Sequence, residues 1–379
     1  MDLHPIADQA PHPRSTSRAG FAMPLSRNRM FLSRNRIPSD EPMAHFDGLL
    51  ATGLEEVVDL AEQPEAFDRS GWWAVVATFE GAVTGYRFGN VRQAPLPLGP
   101  AGAGWVGPGR NDWVSSLDRR SYLAGVEHIR ERIAAGDVYQ VNLCRLLSAP
   151  LPGAADPLAL AHRLAAGNPA AYQGVLHTGT EWLVTASPEL FLNRAGAVVR
   201  SSPVKGTARP GEPFADKDFP ENIMITDLVR NDLGRVAEPG SVIVTELLAR
   251  EEHPGITHLA STVQAILRDS VGWRHLLAAT FPPGSVSGAP KHTARKAIAQ
   301  LEPVARGPYC GAVGFVDADR RTARLAVGIR TFFTATGRHG RTLNFGTGAG
   351  ITYPSQPEAE WQETELKAVR LIGLASAEE

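Results

Sequence analysis

The sequence predicts an α+β layered fold, and three observations carry that reading. Stretches with strand character outnumber helical ones, and many stand close enough to join by hairpins. The crossovers between helices and strands are irregular, which argues against a doubly wound sheet. No tandem repeat of fixed period runs through the 379 residues, so solenoids and propellers are excluded. A chain of this length can bury a sizeable core, as one large domain or two ordinary ones.

The first forty or so residues are rich in Pro, Ser, Asn and Arg and hold the near-repeat SRNRMFLSRNR at 26–36. They lack periodicity, so residues 1–43 read as a disordered extension or a basic arm, one that a start at Met43 would remove. Residues 44–116 read as a segment packing on the core, with order beginning near Glu55. Within it, 72–79 (WWAVVATF) is a buried strand, 86–89 (YRFG) its hairpin partner, and 94–110 a Pro- and Gly-dense loop.

From residue 117 to 376 the texture is that of the main domain. Residues 121–135 (SYLAGVEHIRERIAA) form an amphipathic helix closed by Gly136, and 139–147 (YQVNLCRLL) a strand. Further strands are expected at 174–177, 182–186, 197–201, 242–248, 312–317, 325–333 and 342–347. Further helices are expected at 221–230, 256–268, 274–280, 293–301 and 357–374.

The bulk properties exclude several classes of function. A formal net charge of −2 gives no reason to expect a nucleic acid or an anionic membrane as partner. No apolar run is long enough to span a bilayer, and the N-terminus lacks the apolar stretch of a secretory signal. Cys144 and Cys310 provide neither a disulfide framework nor metal-ligand spacing. They read as buried thiols of a chain that works in the reducing cytoplasm.

Two pairs of carboxylates stand three residues apart. Asp218 and Glu221 open the helix that contains ENIMITDLVRND, and Glu360 and Glu363 lie on the last helix. Spacing of three places each pair on one helical face, and two facing pairs make an oxygen cage suited to Mg²⁺. Acidic residues at helix starts also answer the helix dipole, which is the blander explanation. Two glycine-rich turns look able to hold anions: 284–291 (GSVSGAPK), running into a helix, and 346–350 (GTGAG), baring amides in a nest. Arg330 can clamp a carboxylate. Lys205 sits in a short turn, SSPVKGT, where a lysine can lose its proton and act as a nucleophile. Glu189 in SPELF is a candidate general acid, and His258 in GITHLAST a candidate acid or base.

Taken together, GDVYQVNL, SPELF, PVKGT, ENIMITDLVRNDLGRV, GSVSGAPK, YCGAVGF, GIR, GTGAG and ETELKA resemble the chorismate-utilising family, in the family's order, over residues 117–374. Its members are the large subunits of anthranilate and aminodeoxychorismate synthases and the isochorismate and salicylate synthases. The resemblance implies antiparallel sheets covered by helices and an Mg²⁺ held by Glu221 and Glu363, with Asp218 and Glu360 as the outer pair. It implies a substrate carboxylate met by Arg330 and by the backbone at Gly348, Ala349 and Gly350, with Tyr309 beside it. Ser287 and Gly288 would close another wall, and Thr207, Gln140 and Lys367 would line the pocket. Glu189 would protonate the departing C4 hydroxyl, and His258 would orient or assist.

Two positions separate the members. Isochorismate and salicylate synthases carry a lysine base where this chain has Gln140, so the resemblance implies ammonia rather than water. Anthranilate synthases have alanine at this position of the PVKGT motif, whereas this chain has Lys205 there and so resembles the aminodeoxychorismate synthases. The expected activity is therefore amination of chorismate at C4, through a lysine adduct at C2, for folate synthesis or a specialised aromatic product. The alternatives are anthranilate or isochorismate synthesis on the same scaffold, or a silent chorismate-binding relative. No glutaminase signature is found, so a separate glutamine amidotransferase subunit is expected to supply ammonia. The regulatory tryptophan pocket that the family often keeps near the N-terminus is not traceable.

Overall fold

The structure, a computed structural model, describes residues 36–377 apart from 39, 101–103, 209, 254–255 and 339. The extension expected at 1–43 lies almost wholly outside the described residues. Among those described, eighteen strands join one antiparallel hydrogen-bonded network. The chain begins with β1 (Met43–Phe46), β2 (Leu49–Asp59), the short α1 (Ala66–Arg69), β3 (Trp72–Ala77), β4 (Val83–Gln93) and β5 (Val114–Ser115). Next come α2 (Arg119–Ala134), β6 (Gln140–Pro150), α3 (Pro157–Gly167), β7 (Tyr172–His177), β8 (Trp182–Ser187), β9 (Leu190–Ala195), β10 (Val198–Ser202) and β11 (Val204–Ala208). Then follow α4 (Asp218–Gly234), β12 (Ile243–His253), β13 (Ile256–Ile266), α5 (Trp273–Thr280), β14 (Gly288–Ala289) and α6 (Lys291–Leu301). The chain closes with β15 (Ala312–Asp317), β16 (Thr322–Val327), β17 (Thr331–Gly337), β18 (Gly340–Ile351) and α7 (Pro357–Ala375).

One half of the network runs β14, β6, β18, β17, β8, β7, β1, β2, and the other continues through β4, β3, β15, β16, β9, β10 and β13, which is flanked by β11 and β12. The ladder turns back on itself, because Val175 and Val184 from the first half share a cavity of about 300 Å³ with Val313 and Phe315 from the second. That cavity also reaches His45–Gly48 and Tyr172. Helices cover the layers: α4 lies on β13, and α7 lies on β18 beside α2 and α3. Local chemistry sets their ends, with Asp118 accepting from the Ser121 amide at 2.7 Å and Asp156 from the Leu158 amide at 3.0 Å.

The structure corrects several expectations. Order does not wait for Glu55: β1 and β2 form a hairpin whose turn residues Asp47 and Gly48 have φ of 54° and 73°. This is the Asp-Gly turn that matches strand twist. The helix expected at 256–268 is β13. Leu259, Ala260 and Ser261 are buried in succession, so burial on both faces erases the alternation that marks a strand. The strand expected at 325–333 is two strands, because the chain turns at Gly328–Arg330 and Arg330 takes a φ of 51°. β16 then pairs with β15 and β9, whereas β17 pairs with β8 and β18. Lys205 lies in β11, not in a free turn. The GSVSGAPK segment forms a 3₁₀ turn and the short β14 before α6 begins at Lys291.

The largest correction concerns GTGAG, which is not a turn but part of β18, paired with β6 from Thr342↔Pro150 to Ile351↔Val141. Alternate residues of a strand share a face, so Gly346, Gly348 and Gly350 leave one face bare. A side chain there would run into the Tyr309 ring, the Cys144 sulfur and the Gln140 amide, respectively. Close approach, rather than a turn, explains these glycines.

Candidate active site

The unpaired stretch of β18 is the starting point. β17 accompanies β18 only as far as Phe345, so beyond it one edge has no strand partner among the described residues. The direction of the amides follows from β6. The amides of Asn142, Cys144 and Leu146 donate away from β18, to the Ser287 carbonyl, Glu302 and Ser116 at 3.0, 2.9 and 2.9 Å. Their partners across the ladder are Gly350, Gly348 and Gly346, which must likewise point away from β6. The open edge therefore presents the N–H groups of Gly348 and Gly350, while that of Gly346 closes the last pairing with β17. Lys367 confirms this direction by donating to the Gly348 carbonyl at 3.0 Å.

Arg330 stands two residues before Phe332, whose partner is Phe345, and so beside the start of this edge. Its carbonyl accepts from Ala186 at 3.0 Å, but its guanidinium has no hydrogen-bonding or ion-pair partner among the described residues. Burial alone holds its pKa below the ordinary range. A desolvated arginine next to free amides is suited to an anion.

A carboxylate–lysine group adjoins the same edge. Lys367 bridges from Gly348 to Glu363 at 2.7 Å, and Lys217 reaches Glu363 at 3.5 Å. At Gly350, Gln140 is buried and donates to Glu221 at 3.3 Å, while Lys205 lies 4.0 Å from the same Glu221 oxygen. Asp218 accepts from the Ala215 amide at 3.1 Å, and Glu360 from the Ser355 hydroxyl at 2.7 Å. Burial, reinforced by neighbouring carboxylates, raises the pKa of Asp218, Glu221 and Glu360. Burial pushes Glu363 up as well, but Lys367 and Lys217 outweigh it and hold this carboxyl low. Asp218, Glu221 and Glu360 each feel the charge of Glu363, so tertiary packing sets the two pairs within one electrostatic group.

The donor set fits a hard cation. Glu360 Oε2 is buried without a hydrogen-bond partner, and an orphaned carboxylate oxygen is costly unless something positive meets it. Among the described residues no three acidic, imidazole or thiol groups already surround a single point. Glu221 and Glu363 are instead drawn to lysines.

Glu189, between β8 and β9, is 3% exposed. Burial raises its pKa to about 7, against the opposing influence of the Ser285 hydroxyl, the Lys205 charge and the Val204 amide. His258 is buried on β13, in register with Thr207 and Glu251. The structure does not bring every expected residue to the cluster. Ser287 is fully buried, its hydroxyl donating to Pro283 at 3.0 Å, and Gly288 pairs with Val141. Tyr309 lies over Gly346 and turns its hydroxyl to Cys144 at 3.7 Å. Ala349 is buried in β18, opposite Leu143. Lys217 was missed by sequence reasoning. Its signal was a base immediately before the acidic opening of α4.

Comparison with known proteins shows the family and the fold. Residues 106–373 match the family described as chorismate binding enzyme. Anthranilate synthase component 1 of Streptomyces coelicolor is 39% identical over 301 residues, covering 74% of this chain and 57% of that protein. Aminodeoxychorismate synthase component 1 of Salmonella typhimurium is 37% identical over 272 residues, covering 69% and 58%. The chain thus spans about three fifths of the length of the curated relatives it matches. The menaquinone-specific isochorismate synthase of Escherichia coli shares the fold, with a TM-score of 0.75, 19% identity and 91% of each chain covered. With well over half its length matched to the family, the chain belongs to the chorismate-binding enzymes.

Proposed function

We infer that the protein aminates chorismate at C4 to give 4-amino-4-deoxychorismate, with ammonia supplied by a separate glutamine amidotransferase subunit. Relatives that make anthranilate and relatives that make aminodeoxychorismate match at similar identity, so the assignment rests on one residue. That residue is Lys205, whose amine lies between a buried acid and a carboxylate group, 4.0 Å from Glu221.

The chain's groups suit the steps. Arg330 and the open edge of β18 hold a ring carboxylate, and Asp218, Glu221, Glu360 and Glu363 would hold Mg²⁺. The ion would neutralise substrate carboxylate charge that otherwise opposes the ring chemistry. The Lys205 amine bonds to C2, the ring double bonds shift, and the C4–O bond breaks as Glu189 gives its proton to the leaving hydroxyl, releasing water. Ammonia then bonds to C4, the double bonds shift back, and Lys205 departs as an amine. The new C4 ammonium returns a proton to Glu189, which balances the cycle. Gln140 offers no base to activate water, in keeping with ammonia as the nucleophile.

The test is a product assay with purified chain, chorismate, Mg²⁺ and ammonium salt, resolved by chromatography and mass. An aminated product that keeps its enolpyruvyl group, and is lost with EDTA, is expected. Anthranilate with pyruvate would reassign Lys205 as a counter-ion, and isochorismate would reassign Gln140. Lys205→Ala is expected to lose at least a hundredfold in turnover, on the order of what removal of a covalent nucleophile costs. Full activity with the same product would remove the adduct from the mechanism.

A further inference from the structure

Glu189 shares a cavity of about 20 Å³ with Ser201, Asp232, Thr280 and Ser285. The Ser285 hydroxyl bears on the Glu189 carboxyl and favours its ionised form. Ser285 belongs to the turn between α5 and α6, and a buried ion pair holds that turn. Lys291 Nζ lies 2.5 Å from Asp232 Oδ2, with side chains 15% and 10% exposed, and donates to the Thr280 carbonyl at 2.6 Å. Gly284 packs against Leu228, one helical turn before Asp232, and against the Lys291 stem. Asn142 fixes the Ser285 carbonyl at 3.2 Å.

Burial opposes both charges of this pair, lowering the pKa of Lys291 and raising that of Asp232. A buried pair is a poor source of stability compared with apolar packing, but it fixes geometry. The geometry fixed here is that of the turn presenting Ser285 to Glu189.

We propose that Asp232 and Lys291 are positioning residues for Glu189, holding the 284–291 turn so that the Ser285 hydroxyl meets the Glu189 carboxyl. The proposal rests on the reading of Glu189 as the general acid. The groups facing Glu189 are Lys205 and the Val204 amide from β11, Tyr172 from β7 and Ser285 from the turn, with Asp232 across the cavity. Loss of the ion pair frees the turn, Ser285 retreats, and the carboxyl holds its proton to higher pH.

Infrared difference spectra of the full chain against Glu189→Gln follow the Glu189 carboxyl directly as pH is raised. Ser285→Ala is expected to move this titration upward by about half a pH unit or more, the scale of one lost hydrogen bond to a carboxylate. Lys291→Met and Asp232→Asn are expected to move it the same way. Lys291→Met combined with Ser285→Ala should move it no further than Ser285→Ala alone, since both act through one contact. The proposal is overturned if both ion-pair variants leave the titration in place, if the two shifts add, or if Ser285→Ala does not move it. Asp232→Asn keeps the test available should Lys291→Met fold poorly. Turnover by Glu189→Gln reports separately: full activity there removes the general-acid role, whatever the titrations show.

Discussion

On the proposed reading of Glu189 as general acid, one substitution exposes a link between catalysis and stability. In the folded chain the pKa of Glu189 is about 7, against an ordinary 4.5, because burial disfavours the carboxylate. Between those values the folded chain keeps a proton that the unfolded chain has released. Stability from this group is therefore present in full below about 4.5, falls as pH rises through about 7, and then levels off. The gap amounts to about 3 kcal/mol, and at 3% exposure there is little solvent screening to reduce it. Glu189→Gln replaces the carboxyl with a neutral group of similar shape that does not titrate. Urea unfolding of both proteins at pH 5, 7 and 8.5 should show the difference moving in favour of the variant by up to about 3 kcal/mol across that range. Other titrating groups largely cancel in the comparison. Over the same range wild-type kcat should fall as pH passes about 7, since a deprotonated acid cannot assist the leaving hydroxyl, while the variant stays slow throughout. Stability curves that run parallel, or a variant losing ground at high pH, would refute the claim that Glu189 is buried and protonated near neutrality.

Further expectations can be checked independently. Arg330→Met should raise KM for chorismate roughly ten- to a hundredfold, the effect of losing about 1.5–3 kcal/mol of charge-assisted hydrogen bonding, with fold unchanged by circular dichroism. An unchanged KM would place the substrate carboxylate elsewhere. Glu360→Gln should raise the melting temperature without metal, because a desolvated carboxylate with an orphan oxygen is removed, and should shrink the increase that Mg²⁺ produces. Equal Mg²⁺ responses in both proteins would exclude Glu360 from the ion's surroundings. Gly348→Ala sets a methyl group 2.5 Å from the Cys144 sulfur and should cost about 1–3 kcal/mol of stability by overpacking. A melting temperature equal to wild type would mean that β18 and β6 lie further apart than described.

Sequence was a good guide to side-chain placement where local chemistry and final geometry coincide. Asp218 with Glu221, and Glu360 with Glu363, could be placed because helical spacing of three survives folding. The family model independently covers 106–373, where the motifs had been read. It was a poor guide where long-range pairing decides. The apolar spacing in 256–266 is compatible with either a helix or a strand, and β10, β11 and β12 settle it by pairing with β13. The bend at Gly328–Arg330 hides inside an apolar run because its cause is the different partners awaiting β16 and β17. Lys217 and Lys291 were passed over for a related reason, since a lysine shows its role only through the carboxylate it meets.

The glycines of 346–350 show how a reading can reach the correct group through the wrong geometry. Free backbone amides were expected from a nest-like turn, and the segment proves to be a strand. Free amides remain, for a different cause: β17 departs at Arg330, and the register with β6 turns Gly348 and Gly350 toward the edge it vacates. The bend that defeated the strand assignment at 325–333 is therefore what opens that edge, and it sets Arg330 beside it in a left-handed conformation that non-glycine residues seldom adopt. Had β17 run straight on from β16, residues 328–330 could have covered the β18 edge, and the amides would have been spent on a ladder. One strained residue thus accounts both for the open edge and for the cation standing next to it.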